Sequence, residues 1–134
     1  ELREALEIAC VRLAAKRRQI ERFETIVEDL RAAIVRPDVL DSGRLAFLSS
    51  ELDSAIEEAA GSRYISAALD DLGGQMARGR YYSAADATRL LRSAEEHILI
   101  AEAIIEGDEL HAVSAMTIHL RNSLTTVLRS LPES

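Results

Sequence analysis

The sequence predicts an all-α fold, an antiparallel bundle of about six helices, and three observations carry that reading. Ala, Leu, Glu and Arg are abundant in the 134 residues, whereas Gly is 6, Pro is 2 and aromatic residues are 4%, so intrinsic propensity favours helix nearly everywhere. Apolar residues recur at three-to-four spacing in one segment after another. No alternating β-branched run with an Asn-Gly or Asp-Gly turn signals a hairpin. A chain of this length makes one domain, residues 1–134, with no internal repeat or linker. At 48% apolar residues it buries roughly two thirds of its unfolded surface and needs no covalent staples.

The first helix is expected over Leu2 to Arg18, with Leu2, Leu6, Ala9 and Leu13 on its stripe and Val11 on the flank. Lys16, Arg17 and Arg18 put positive charge at its C-terminal end, where the helix dipole favours it. The second runs from about Ile20 to Val35 through Phe23, Ile26, Val27, Leu30 and Ile34, until Pro37 stops it. Asp41 or Ser42 caps the third, whose stripe is Leu45, Leu48, Leu52, Ile56 and Ala59, and Gly61 supplies a left-handed C-cap. The fourth, Tyr64 to about Arg80, contains Gly73-Gly74. Each Gly there costs about 1 kcal/mol against Ala, and a break or kink is expected. Ser83 is expected to cap the fifth, which carries Leu91, Ala94, Ile98, Ala101 and Ile105 to Glu106 and ends at Gly107. Asp108 caps the sixth, with Leu110, Val113, Met116, Leu120, Leu124, Val127 and Leu131 turned inward until Pro132.

Lys and Arg total 16 against 23 Asp and Glu, a net charge of −7. Such a field repels phosphate, which argues against direct contact with DNA or RNA. The single cysteine, Cys10, cannot form an internal disulfide, and a reducing cytoplasm is the expected compartment. No membrane span is expected, because the greasiest stretch, Ile98 to Ile105, is cut by Glu102 and falls short of the roughly 20 apolar residues a span needs. The opening Glu1-Leu2-Arg3-Glu4 has neither a signal-peptide core nor an initiator Met, and a piece of a longer protein is expected.

There is no Gly-rich phosphate loop, nucleophile elbow, paired-Cys zinc signature or Glu-x-x-His pair of the di-iron type, and no enzyme is expected. What remains is three histidines. His97 falls in the apolar arc of the fifth helix among Leu90, Ala101 and Ile104, and His119 lies on the flank of the sixth beside Met116. Both can face the interior, either as histidines satisfied by backbone or water or as a binding pair. His111, among Asp108 and Glu109, reads as a surface residue. Ser49 and Asp53 stand one turn apart on the flank of the third helix, where a carboxylate must reach solvent, pair with an Arg or hold a cation. Glu96 adjoins His97 but points about 100° away on the helix, so it is not expected to orient that ring.

The stretch Glu95-Glu96-His97-Ile98 through Ala103-Ile104-Ile105-Glu106-Gly107-Asp108, then Ala112, Ala115-Met116 and His119-Leu120, resembles the closing segment of the FadR C-terminal domain (FCD). That is the all-helical effector domain of many GntR-type transcriptional regulators. Arg3-Glu4-Ala5-Leu6-Glu7 with Ala9 and Leu13-Ala14-Ala15 is similar to its first helix, and Glu57-Glu58-Ala59-Ala60-Gly61-Ser62 to the Ala-Ala-Gly-Asn turn after its third. The likeness spans about residues 1 to 125 and includes the interval between His97 and His119.

In metal-binding members of the family, an Asp-x-x-x-His pair on the third helix and two later histidines hold one divalent ion, to which a small carboxylate effector binds. His97 and His119 match the later histidines, while the Asp-x-x-x-His positions read Ser49 and Asp53. Ser is a poor ligand and Asp reaches less far than His. The implied set is therefore Asp53, His97 and His119, with Ser49 marginal, completed by water or an effector oxygen around Zn²⁺ or a similar ion. The alternative is a metal-free pocket that keeps the histidines for hydrogen bonding. An effector carboxylate calls for a guanidinium: Arg3 matches the Arg of the family's first helix, and Arg78 and Arg80 are further candidates. The resemblance thus implies a homodimeric sensing domain of a FadR-type regulator, reading DNA only through an upstream winged helix-turn-helix that these residues do not contain. A structural helical module and a metal-dependent enzyme are the rival readings.

Overall fold

Stripes of apolar side chains on short, closely connected helices leave water only by packing on one another. The computed structural model describes the backbone of residues 2–84 and 87–130 and the side chains of residues 2–73 and 87–129. These form α1 (Leu2–Arg17), α2 (Ile20–Ala33), α3 (Ser42–Ala60), α4 (Arg63–Ala84), α5 (Ala87–Glu106) and α6 (Glu109–Ser130), with no strand among the described residues. The all-α reading holds. α5 is the central rod and packs against all the other helices. Its residues Ile100 and Ala103, off the expected stripe, are accordingly as buried as Ala94, Ile98 and Ala101, the pattern of a helix surrounded on several sides.

The stripes of α2 and α3 are as the periodicity predicts: Phe23, Ile26, Val27 and Leu30 meet Leu45, Leu48, Leu52, Ile56 and Ala59 in the core. α1 is rotated from its expected setting. Cys10, Val11, Ala14 and Ala15 are its buried residues, while Leu2 and Ala9 are exposed. Small side chains on that face allow the backbone a close approach that a Leu stripe would prevent. α6 also corrects the reading. Val113, Met116 and Leu120 turn inward or lie half-buried, whereas Leu110 is 77% exposed and Leu124 faces solvent. Leu110 lies about 120° around the helix from Met116 and about 180° from His119, which mark the inner face. Leu131 lies outside the described residues.

α4 runs through Gly73 and Gly74 without the expected break, and Ser83 lies within α4 rather than capping α5. A Cβ at Gly73 would meet nothing within 4 Å. The helix formers around the glycines carry the element across them, since propensity is a weak prior summed over a window.

Asp41 caps α3 by accepting from the Arg44 N–H at 3.0 Å, and Asp108 caps α6 by accepting from the His111 N–H at 3.0 Å. At the tight corner after α1, the consecutive Arg17 and Arg18 fasten the ends of two other helices. Arg17 donates to the Ala60 carbonyl at the end of α3. Arg18, itself at φ 44°, donates to the Ile105 carbonyl at the end of α5 through Nε at 3.1 Å and Nη2 at 2.7 Å. The guanidinium groups satisfy carbonyls that the helices leave open and complement their dipoles. Each lies over a left-handed C-cap glycine: a Cβ on Gly61 would come within 2.8 Å of Arg17 Nη1, and one on Gly107 within 3.0 Å of Arg18 Cδ. This corner sets α3 against α5, which between them carry Ser49 and His97. No helix among the described residues is long and apolar enough to cross a membrane.

Candidate functional site

His97 of α5, 5% exposed, and His119 of α6 meet in the interior with their Nε2 atoms 3.0 Å apart and their rings tilted by 57°. The outer nitrogen of each ring is also engaged. Ser49 Oγ on α3 lies 3.3 Å from His97 Nδ1, and Glu96 Oε1 on α5 lies 2.7 Å from His119 Nδ1. Glu96 is held in turn by Arg89, two turns earlier on the same face of α5. The Arg89 guanidinium, 6% exposed, donates from Nη1 to Oε2 at 3.0 Å and from Nη2 to Oε1 at 2.6 Å, the bidentate geometry of a strong charge-assisted pair. Asn122 Nδ2 donates to Glu96 Oε2 at 2.8 Å, and Arg89 Nη2 reaches Ser123 Oγ at 2.9 Å, so one turn of α6 beyond His119 joins the cluster.

Burial alone would push the Glu96 carboxyl up. Hydrogen bonds from His119, Arg89 and Asn122, with the Arg89 charge, outweigh it and hold the group at about 2, well below its usual 4.5.

Asp53 and Arg3 lie elsewhere, on a cavity of about 240 Å³ between α1, α3 and α4 whose wall includes Arg3, Glu7, Cys10, Asp53, Glu57 and Asp70. Arg3 Nε is 3.9 Å from Glu7 Oε1. Burial, then the charges of Glu7, Glu57 and Asp53, pushes the Cys10 thiol up to about 12, so it stays protonated and is no nucleophile. The side chains of Arg78 and Arg80 lie outside the described residues.

The donor set expected for a metal is therefore only partly assembled. Two imidazole nitrogens converge, each ring oriented through its other nitrogen as metal-bound histidines are. Asp53 does not share a grouping with them in which all ligand atoms lie within 4.8 Å of one another, and Ser49 sits on the far nitrogen of His97 as an orienting partner. His97 and His119 fit a divalent ion as two ligands. Among the described residues, Glu106, Asp108 and His111 bring three ligand atoms that close together, exposed at the turn between α5 and α6. His111 is thus on the surface, as expected.

Sequence reasoning missed Arg89, Asn122 and Ser123, and set Glu96 aside because it points away from His97. Glu96 serves the other histidine. The signal available was the seven-residue spacing of Arg89 and Glu96, which places opposite charges two turns apart on one helix face.

The class defined by this architecture is an all-α bundle holding a buried polar cluster and a separate small cavity among its helices. A family model described as the FCD domain matches residues 1–122, and the chain belongs to that family, the effector-binding domain of GntR-type regulators, a regulatory rather than a catalytic class. Neither the curated proteins nor the solved structures give a match to the chain.

Proposed function

We propose that this FCD domain senses a small organic acid in the cavity between α1, α3 and α4 and passes the signal to an upstream DNA-reading winged helix-turn-helix. The observation that carries the reading is the meeting of Arg3 and Asp53, from helices far apart in sequence, on the wall of one cavity. Arg3 offers a planar fork to the effector's carboxylate. The neighbouring Glu7, Asp53, Glu57 and Asp70 are acceptors, which favours an acid that also carries hydroxyl or amino groups. Arg78 and Arg80 belong to the same proposal as further anion partners. The regulator acts as a homodimer in the cytoplasm. Supporting dimerisation, the outer face of α6 exposes Leu110, Ile118, Leu124 and Leu128, an apolar strip of the kind that associates.

A divalent ion such as Zn²⁺ is the second part of the proposal. His97 and His119 would hold it apart from the cavity, where it would act on effector binding by fixing α3 against α5 and α6. The effector switches DNA binding only by favouring one arrangement of the two DNA-reading heads over another.

The test is a melting-temperature screen of the chain against small hydroxy-, amino- and dicarboxylates, followed by calorimetry with the most effective compound. Replacing Arg3 by Ala removes a charge-assisted hydrogen bond and is expected to weaken binding about tenfold or more. Unchanged affinity in Arg3→Ala would overturn the cavity assignment. Chelation, or the double change His97→Ala/His119→Ala, weakens binding if the ion takes part; unchanged binding removes the metal and leaves the regulator reading intact.

A further inference from the structure

We propose that Glu96 is the positioning residue of the histidine pair: its carboxylate imposes the Nδ1–H tautomer on His119, so that His119 Nε2 faces His97 as a hydrogen-bond acceptor. The inference concerns the pair alone and holds wherever the effector binds.

The argument is one of donors and acceptors. Glu96 is gripped through both oxygens by Arg89 and through one by Asn122, and an ionised carboxylate only accepts. His119 Nδ1, 2.7 Å from Oε1, must therefore be the donor, and the other nitrogen of a neutral imidazole is then bare. The two Nε2 atoms at 3.0 Å need one proton between them, and it must belong to His97. His97 Nδ1 is left as an acceptor for the Ser49 hydroxyl at 3.3 Å. The chain of donation runs one way, from Ser49 through His97 and His119 to Glu96. Arg89 Nη2 lies 3.4 Å from His119 Nδ1 but has its closer acceptor in Glu96 Oε1 at 2.6 Å, so both nitrogens donate to that oxygen.

The two ends of this chain differ in freedom. A hydroxyl donates or accepts equally well, so His97 can exchange tautomers without losing Ser49. His119 cannot exchange without losing Glu96. A group that parts the histidines thus meets a fixed lone pair on His119 and must bring it a proton or a cation. A bare carboxylate oxygen reaches the pair only from the His97 side.

Long-range proton–nitrogen correlation of the ¹⁵N-labelled chain at about pH 8, above the ordinary imidazole pKa of about 6.5, reads the tautomers directly. The expected spectrum shows His119 protonated at Nδ1 and bare at Nε2. Glu96→Ala moves His119 to the Nε2–H form, whereas Ser49→Ala, at the other end of the chain, leaves His119 as it was. A proton on His119 Nε2 in the unaltered chain, or retention of the Nδ1–H form in Glu96→Ala, overturns the proposal. Should Glu96→Ala fail to fold, the spectrum of the unaltered chain still decides.

Discussion

Two adjoining faces of α3 meet contrasting environments. On one, Ser49 enters a closed set of hydrogen bonds that ties α3 to α5 and α6 through His97, His119, Glu96, Arg89, Asn122 and Ser123. On the other, Ser50, Asp53, Ser54 and Glu57 face a cavity shared with α1 and α4. A buried network of mutually bonded groups is rigid, because each group removed leaves another unsatisfied in a low dielectric. A cavity lined by polar groups exchanges water for a guest without breaking the packing around it. Under the proposed function the first face holds the helices in register and the second receives the ligand.

The largest test of the contrast is Arg89→Ala. Removing the guanidinium leaves the Glu96 carboxylate buried without its charge partner, and a loss of about 3–5 kcal/mol in urea unfolding is expected. A loss of a few tenths would mean that the network ties nothing.

The second is acid. The folded-state value of Glu96, about 2, is depressed, so its contribution is fully present above the ordinary 4.5 and fades as pH falls from there through 2. The ceiling is about 3 kcal/mol. Glu96→Gln removes this part of the pH dependence, and unfolding followed between those limits shows the two slopes apart. A third, smaller effect belongs to His119→Ala, expected to cost about 1–3 kcal/mol because His97 Nε2 and Glu96 each lose a partner. At the cavity, Ser54→Ala is expected to change stability by less than about 0.5 kcal/mol. Comparable losses at Ser54 and His119 would erase the distinction between the two faces.

Periodicity reveals a single helix face well and the meeting of faces poorly. The stripes of α2 and α3 were legible because large apolar residues recur there without rivals. On α1, Ala residues spread the apolar arc so widely that the wheel could not distinguish Leu6 and Leu13 from Ala14 and Ala15 as its centre. The continuity of α4 through Gly73 and Gly74 was hidden because two weak residues are outvoted by their neighbours. The histidines were legible as inward-facing. Their partners were not, since the rotation that aims Glu96 away from His97 is the same one that aims it at α6, and where α6 lies is a tertiary fact. Asp53 shows the converse: a place one turn from Ser49 on α3 suggested a shared site, yet in the fold Asp53 lines the cavity while Ser49 reaches His97.

The most direct measurement is an amide chemical-shift map of the labelled chain, saturated with the carboxylate that raises its melting temperature most. The largest changes are expected around Arg3, Ser50, Ser54 and Leu69, on the helices that enclose the cavity, with smaller ones at His97 and His119. Changes centred on the two histidines, with α1 and α4 unmoved, would contradict the division of labour between the two faces of α3.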